Sequence, residues 1–507
     1  MTAGRQRAIL MVLSAALALI ALDNTILNVA LPSLQQDLAA STEELQWVVD
    51  AYSVLFAGTL LLSGALGDRF GRRRILVLGL LVFAGGSLAA GLAPDATNLI
   101  VSRAVMGIGG ALIMPATLSL LVATFPLAPQ RARAIGIWTA VAGVGVAIGP
   151  IAGGLLLEHF TWHAIFFVNP PLMAVVLIAT LLLIPESADP SRPRLDLLGG
   201  VLVSTGLICL VVTIVELPGS GLTPVTLLSG LATVILLGGF IGWERRAPRP
   251  LLPLALFGQR AFAIGVLTVA LVYFALMGAM FVLPQYLQLV LGMSPLAAGL
   301  AIVPGAAGLL VSAPLSPLLA QRWGARRLVV IGLLIVAAAL LLASRFNATT
   351  GLIAIGPVLG MLGAGMGLAL PQATNAVLAC VPRARAGMGS AVNDAAAELG
   401  GSLGVAILGS ILGVAYLTRV DGAIAAAAGR LAEVPATVLD AIRESLATAS
   451  LVVPQLPPDL IEPAREAVGT AYLAGMGGAM VAGAGLALLA AALVGSLFPR
   501  RVDTVAE

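Results

Sequence analysis

Fourteen apolar runs of about twenty residues, each long enough to cross the roughly 30 Å hydrocarbon core of a bilayer as a helix, constrain this chain more tightly than any other feature. They fall near 9–31, 46–66, 75–93, 98–124, 133–157, 163–184, 196–216, 223–242, 262–284, 296–320, 328–344, 352–378, 387–412 and 470–497. Backbone amides find no water inside lipid, so segments of this kind satisfy their own donors and acceptors as helices. The expectation is an all-α integral membrane protein with fourteen spans. Composition supports it, because 59% of the 507 residues are apolar and only 10% charged, a balance foreign to soluble domains. Span 1 is too long for a cleaved signal peptide and carries Asp23 inside its apolar run, so it reads as a helix of the mature protein.

All 27 basic residues are arginine, and they sort by side. With alternating spans, 21 of them fall at the two termini and in one set of loops, among them Arg69, Arg72, Arg73, Arg74, Arg131, Arg133, Arg322, Arg326 and Arg327. Short arginine-rich loops stay in the cytoplasm, so both termini are expected there. The net charge of +3 then reflects topology and not nucleic-acid binding. Cys209 and Cys380, in span 7 and at the inner end of span 12, are not expected to form a disulfide.

Absent residues exclude whole function classes. There is no lysine for a phosphate-binding loop. The two histidines, His159 and His163, both sit at the outer mouth of spans 5 and 6, too few for a metal centre or a nucleophilic triad. An enzyme reading has no support, and no cofactor is expected. Secondary transport, a channel or a lipid-handling protein remain.

An internal repeat favours transport. Gly67-Asp68-Arg69-Phe70-Gly71-Arg72-Arg73-Arg74 after span 2 returns as Ala320-Gln321-Arg322-Trp323-Gly324-Ala325-Arg326-Arg327 after span 10, at an offset of 253. Gly107, Gly109 and Pro115 return as Gly363, Gly365 and Pro371, and Arg-Ala-Arg-Ala occurs at both 131 and 383. Spans 1–6 therefore pair with spans 9–14, with spans 7 and 8 inserted between them. The implied units are an N-terminal six-helix bundle at 1–195, two inserted helices and a linker at 196–260, and a C-terminal six-helix bundle at 261–507. Parallel halves of this kind place a binding site between them at mid-membrane, reached alternately from each side.

Charges within the spans mark the candidate site, since each costs roughly 2.5 to 3.5 kcal/mol on insertion scales unless paired or hydrated. Asp23 in span 1 and Arg103 in span 4 lie at similar depth, which permits an ion pair. Asp50 sits one turn into span 2. Asp394 and Glu398 are four residues apart and share a face of span 13. A buried carboxylate whose exposure or pairing changes with conformation loads and releases a proton; a permanent bridge between spans 1 and 4 is the plain alternative for Asp23 and Arg103. For Asp394 and Glu398 no arginine of the other half lies at their depth, which suits a cationic substrate. Asp68 in the loop after span 2 can pair with an arginine or a helix N-terminus and act as a latch, where the arginines alone would only anchor the loop.

These motifs resemble the major facilitator superfamily, in its fourteen-helix drug:proton antiporter branch. The resemblance rests on Leu22 to Pro32, on Gly64, Gly67, Asp68, Arg69, Gly71 and Arg72, on Arg103 with Gly107, and on Gly145, Gly149, Pro150, Gly153 and Gly154. The last set is similar to the antiporter signature of span 5 and also reads as a small-residue packing face. What the resemblance implies is a major facilitator fold with proton coupling through Asp23, Arg103, Glu398 and Asp394, and substrate contacts from Glu398, Asp394, Asp50, Tyr52, Trp138 and Tyr273. It also implies residence in the cytoplasmic membrane of a bacterium. Gly308-Leu309-Leu310 stands where some dication exporters carry an acid, and His163 where an arginine is common.

The reading is a proton-coupled exporter of lipophilic, cationic drugs or antiseptics, acting as a monomer on small amphipathic substrates against membrane lipid. The alternative is an exporter or flippase of an endogenous lipid or secreted metabolite. Residues 413–468 are expected outside as two short amphipathic helices, either a solvated hairpin or a lid that docks an envelope adaptor protein.

Overall fold

The computed structural model describes residues 2–38, 40, 42–188, 196–248, 250–426 and 434–499. Arg192, Arg194, Arg249, Arg500 and Arg501, part of the arginine argument, lie outside the described residues. The described chain is helical, without a strand. The first bundle is α1 (Ala3–Leu38), α2 (Thr42–Phe70), α3 (Arg72–Gly91), α4 (Ala96–Thr124), α5 (Ala128–His159) and a sixth span in two pieces, α6 (His163–Phe167) and α7 (Asn169–Leu183). Next come α8 (Leu197–Ser220) and α9 (Pro224–Glu244). The second bundle is α10 (Arg260–Gln285), α11 (Pro295–Trp323), α12 (Ala325–Ala343), α13 (Leu352–Ala379), α14 (Ala386–Ala426) and α17 (Pro458–Leu497), with α15 (Ala436–Glu444) and α16 (Leu446–Val452) before the last span. All fourteen expected runs are helices.

Alternation puts the start of α1 and the end of α17 on one face, called here the terminal face. Arg5 Nε reaches the Leu183 carbonyl at 3.1 Å and Gln6 Nε2 the Thr124 carbonyl at 3.0 Å, which ties the start of α1 to the ends of α4 and α7 on that face. Lipid as solvent inverts the usual burial pattern. The apolar window of α4 is 83% buried and that of α9 only 17%, so α4 is central and α9 presents leucine, valine and isoleucine outward. The repeat is visible in the backbone: Gly71 between α2 and α3 and Gly324 between α11 and α12 both take positive φ, 114° and 84°, a region that disfavours side chains.

Two large cores form, one from α1–α7 and one from α10–α14 and α17. The first includes Leu378, Ala386 and Ala395 from the second bundle, residues at the terminal-face end of α13 and in the first three turns of α14. Direct packing between the halves runs along α2 with α14 and α5 with α11. The inserted α8 lies over the α2–α14 seam, with Val203 and Leu207 packed among Leu61, Met388 and Val392.

Three expectations need correction. Residues 413–426 are not loop but the last turns of α14, where Tyr416 and Val420 stay buried and Tyr416 donates to the Ile442 carbonyl at 2.8 Å. The two short helices do form, but Ile442, Leu446 and Ala449 are buried in the second core, so they are a packed cap and not a solvated hairpin. Asp50 lies about two turns into α2, because that helix already begins at Thr42.

Candidate functional site

In the first bundle, Asp23 and Arg103 are both 1% exposed. Arg103 Nη1 donates to Asp23 Oδ2 at 2.7 Å, its Nε to the Val48 carbonyl at 3.2 Å, and its guanidinium lies 4.6 Å from the Tyr52 ring centre. A buried arginine with a carboxylate, a carbonyl and an aromatic face around it offsets much of its desolvation. Asn169, at the break in the sixth span, donates to the other carboxylate oxygen at 2.6 Å and to Ser87 at 3.0 Å. Sequence reasoning missed Asn169 and Ser87. A lone asparagine before Pro170-Pro171 inside an apolar run was the available signal.

In the second bundle, Asp394 is 1% exposed and Glu398 half-buried, one turn apart on α14. Neither has a basic partner among the described residues. Asn393 donates to Asp394 Oδ1 at 3.2 Å, and Oδ2 has no partner among the described residues. Both carboxyls act electrostatically on the Tyr273 hydroxyl of α10. Glu398, together with Asp23 and Arg103, acts on the Tyr52 hydroxyl of α2. Tyr52 thus lies within electrostatic reach of Asp23 and Arg103 in its own bundle and of Glu398 in the other. The Trp138 indole nitrogen of α5 is a buried donor without a partner among the described residues. Asp50 is half-buried at the opposite-face end of α2.

On the terminal face Asp68 accepts from the backbone N–H groups of Gly387 at 2.9 Å and Met388 at 3.1 Å. Those are among the first amides of α14, which have no partner within their own helix, so a carboxylate from one bundle caps a helix of the other. Arg72 binds the same carboxylate through Nε at 3.0 Å and Nη2 at 2.8 Å, and reaches the Ala384 carbonyl at 3.0 Å. Gly64 and Gly387 let α2 and α14 meet at backbone distance, since a Cβ on Gly387 would lie 2.5 Å from the Gly64 carbonyl. Gly71 shapes the turn through its positive φ, Gly67 lies inside α2 with room for a Cβ, and Arg69 stacks beside Phe70 at 5.2 Å. The α5 set divides. Gly145 and Gly149 pack on α1 at Ala18 and Thr25, Gly154 faces open space, Gly153 is buried, and the side chain of Pro150 lies outside the described residues.

The model of the Major Facilitator Superfamily matches residues 13–405, most of the chain. The chain belongs to the major facilitator superfamily. It is a transporter and not an enzyme. It is 36% identical over 495 residues to the multidrug efflux pump LfrA of Mycolicibacterium smegmatis, covering 97% of this chain and 96% of that one. It is 34% identical over 521 residues to the tetracenomycin C resistance and export protein of Streptomyces glaucescens, covering 99% and 93%. Its fold superposes on the proton:xylose symporter XylE with a TM-score of 0.65 at 15% identity, covering 100% of this chain and 98% of XylE.

Proposed function

We propose that this superfamily member exports lipophilic, cationic drugs from the cytoplasm in exchange for protons, with the terminal face cytoplasmic. The observation that carries the reading is the pair Asp394, buried, and Glu398, half-buried, on α14 at the seam between the bundles, without a basic partner among the described residues. A cation entering between the halves supplies the missing charge, and protons take its place when it leaves. Tyr52, Tyr273 and Trp138 add aromatic faces and donors suited to flat cations of varied shape. Relatives named for multidrug efflux and for antibiotic export support the export of drugs.

Bundles at 1–195 and 261–507 rock about this site while 196–260 seals one seam. Asp23 and Arg103 respond to the proton, and Asp68 with Arg72 holds the terminal face closed between substrate loadings. The protein works as a monomer in a bacterial inner membrane, with protons as its coupling ion. Purified protein in liposomes carrying a proton gradient tests this: ethidium accumulates against its own gradient, and a protonophore abolishes the accumulation. Accumulation that ignores the protonophore refutes proton coupling. Absence of ethidium movement alongside movement of a fluorescent lipid assigns the protein to lipid export.

A further inference from the structure

Asn169 opens α7 at the one-residue break that divides the sixth span. The prolines at 170 and 171 cannot donate to the preceding turn, so the chain restarts its helix here. The side chain is wholly buried. Its amide nitrogen uses both hydrogens, one on Asp23 Oδ1 at 2.6 Å and one on Ser87 Oγ at 3.0 Å. Ser87 donates in turn to the Phe166 carbonyl at 2.8 Å, which fixes the amide to the backbone of α6.

The two oxygens of Asp23 are therefore divided between helices. Oδ2 belongs to Arg103 of α4 and Oδ1 to Asn169 of α7. The charged and ionisable groups around this point are Arg103, Tyr52 and, within electrostatic reach of Tyr52, Glu398. Asn169 is neutral at every working pH, and its Oδ1 has no partner among the described residues. An unpaired buried acceptor is destabilising. A leucine would fill the same space without it, so the amide is retained for its donors.

We infer that Asn169 is a positioning residue for proton coupling, a role that rests on the exporter reading of Asp23. It holds Oδ1 to α7 while Arg103 is free to leave Oδ2. When the helices move, the carboxylate changes partner instead of travelling with the arginine. Without Asn169 the ion pair moves as one unit and becomes a permanent bridge. Substrate binding at Asp394 and Glu398, in the other bundle, is left intact.

The test uses full-length protein in liposomes, with ethidium as substrate and a trapped pH dye reporting proton flux. Binding is measured separately by ethidium fluorescence. Asn169→Leu is expected to keep its ethidium dissociation constant within about twofold while protons moved per ethidium fall about tenfold, the scale for losing a bond to a charged group. Ser87→Ala frees the amide without removing it and is expected to lower the ratio about threefold. An unchanged ratio in either folded variant overturns the role, as does a parallel loss of binding and coupling, which marks a packing residue. If Asn169→Leu does not fold, Ser87→Ala decides alone. Wild-type protein that moves ethidium without protons removes the exporter reading, and this role falls with it.

Discussion

Replacing Asp68 with asparagine tests the proposed role of its contact with α14 in closing the terminal face. Asp68 is 4% exposed and takes four hydrogen bonds, two from Arg72 and two from the first amides of α14, at distances from 2.8 to 3.1 Å. Asparagine keeps the shape but turns one acceptor into a donor that faces an N–H group, and it removes the charge opposite the α14 N-terminus. A hydrogen bond involving a charged group contributes roughly 1.5 to 3 kcal/mol, and an anion at a helix N-terminus roughly 0.3 to 2 kcal/mol. The closed state therefore loses about 2 to 4 kcal/mol, a factor of roughly 30 to 1,000 in the closed-to-open ratio. Spin labels at Phe70 on α2 and Trp323 on α11, 48% and 50% exposed on either side of the seam, report the separation once Cys209 and Cys380 are replaced. Asp68→Asn is expected to populate a longer distance. An unchanged distribution in a monodisperse variant refutes the latch.

Glu398→Gln and Asp394→Asn should each weaken ethidium binding by at least about tenfold, measured by fluorescence titration, because each removes a desolvated countercharge; binding unchanged in both excludes them from the site. A Cβ on Gly136 of α5 would stand 2.5 Å from the Ala313 carbonyl of α11, so Gly136→Val should wedge the seam at about 1 to 3 kcal/mol and lengthen the same spin-label distance. Asp95 caps α4 through the Asn98 N–H at 2.8 Å, and those Asn98 bonds hold its carboxyl below the usual aspartate range. Its folded-state affinity for protons is lowered, so its stabilisation is present at neutral pH and lost as pH falls through that lowered value. The melting difference between wild type and Asp95→Ala should shrink only in strong acid, and a difference already gone at mildly acidic pH contradicts the cap.

The spans were legible because lipid imposes one simple pattern, length and apolarity, that each helix satisfies alone. The repeat was legible because Gly71 and Gly324 each meet a backbone need that few residues fill. The contact of Asp68 with Arg72 and the start of α14 could be anticipated, since an acid among arginines beside glycines has little reason to be there otherwise. Two things were hidden. Asn169 looks unremarkable along its own span, and its meaning appears only when α1, α3 and α7 converge on it. Residues 413–426 look like loop by polarity, but their helix is held by Tyr416 and Val420 packing on a cap that is distant in sequence. Both depend on tertiary neighbours that a linear pattern does not encode.

The most direct measurement of the central claim is proton movement driven by substrate. Liposomes holding the wild type and Glu398→Gln, with a trapped pH dye and no imposed proton gradient, receive an ethidium gradient. Proton exchange at Glu398 gives a pH change in the wild type, opposite in direction to ethidium flow, that Glu398→Gln abolishes. Ethidium moving through the wild type without any pH change would contradict it.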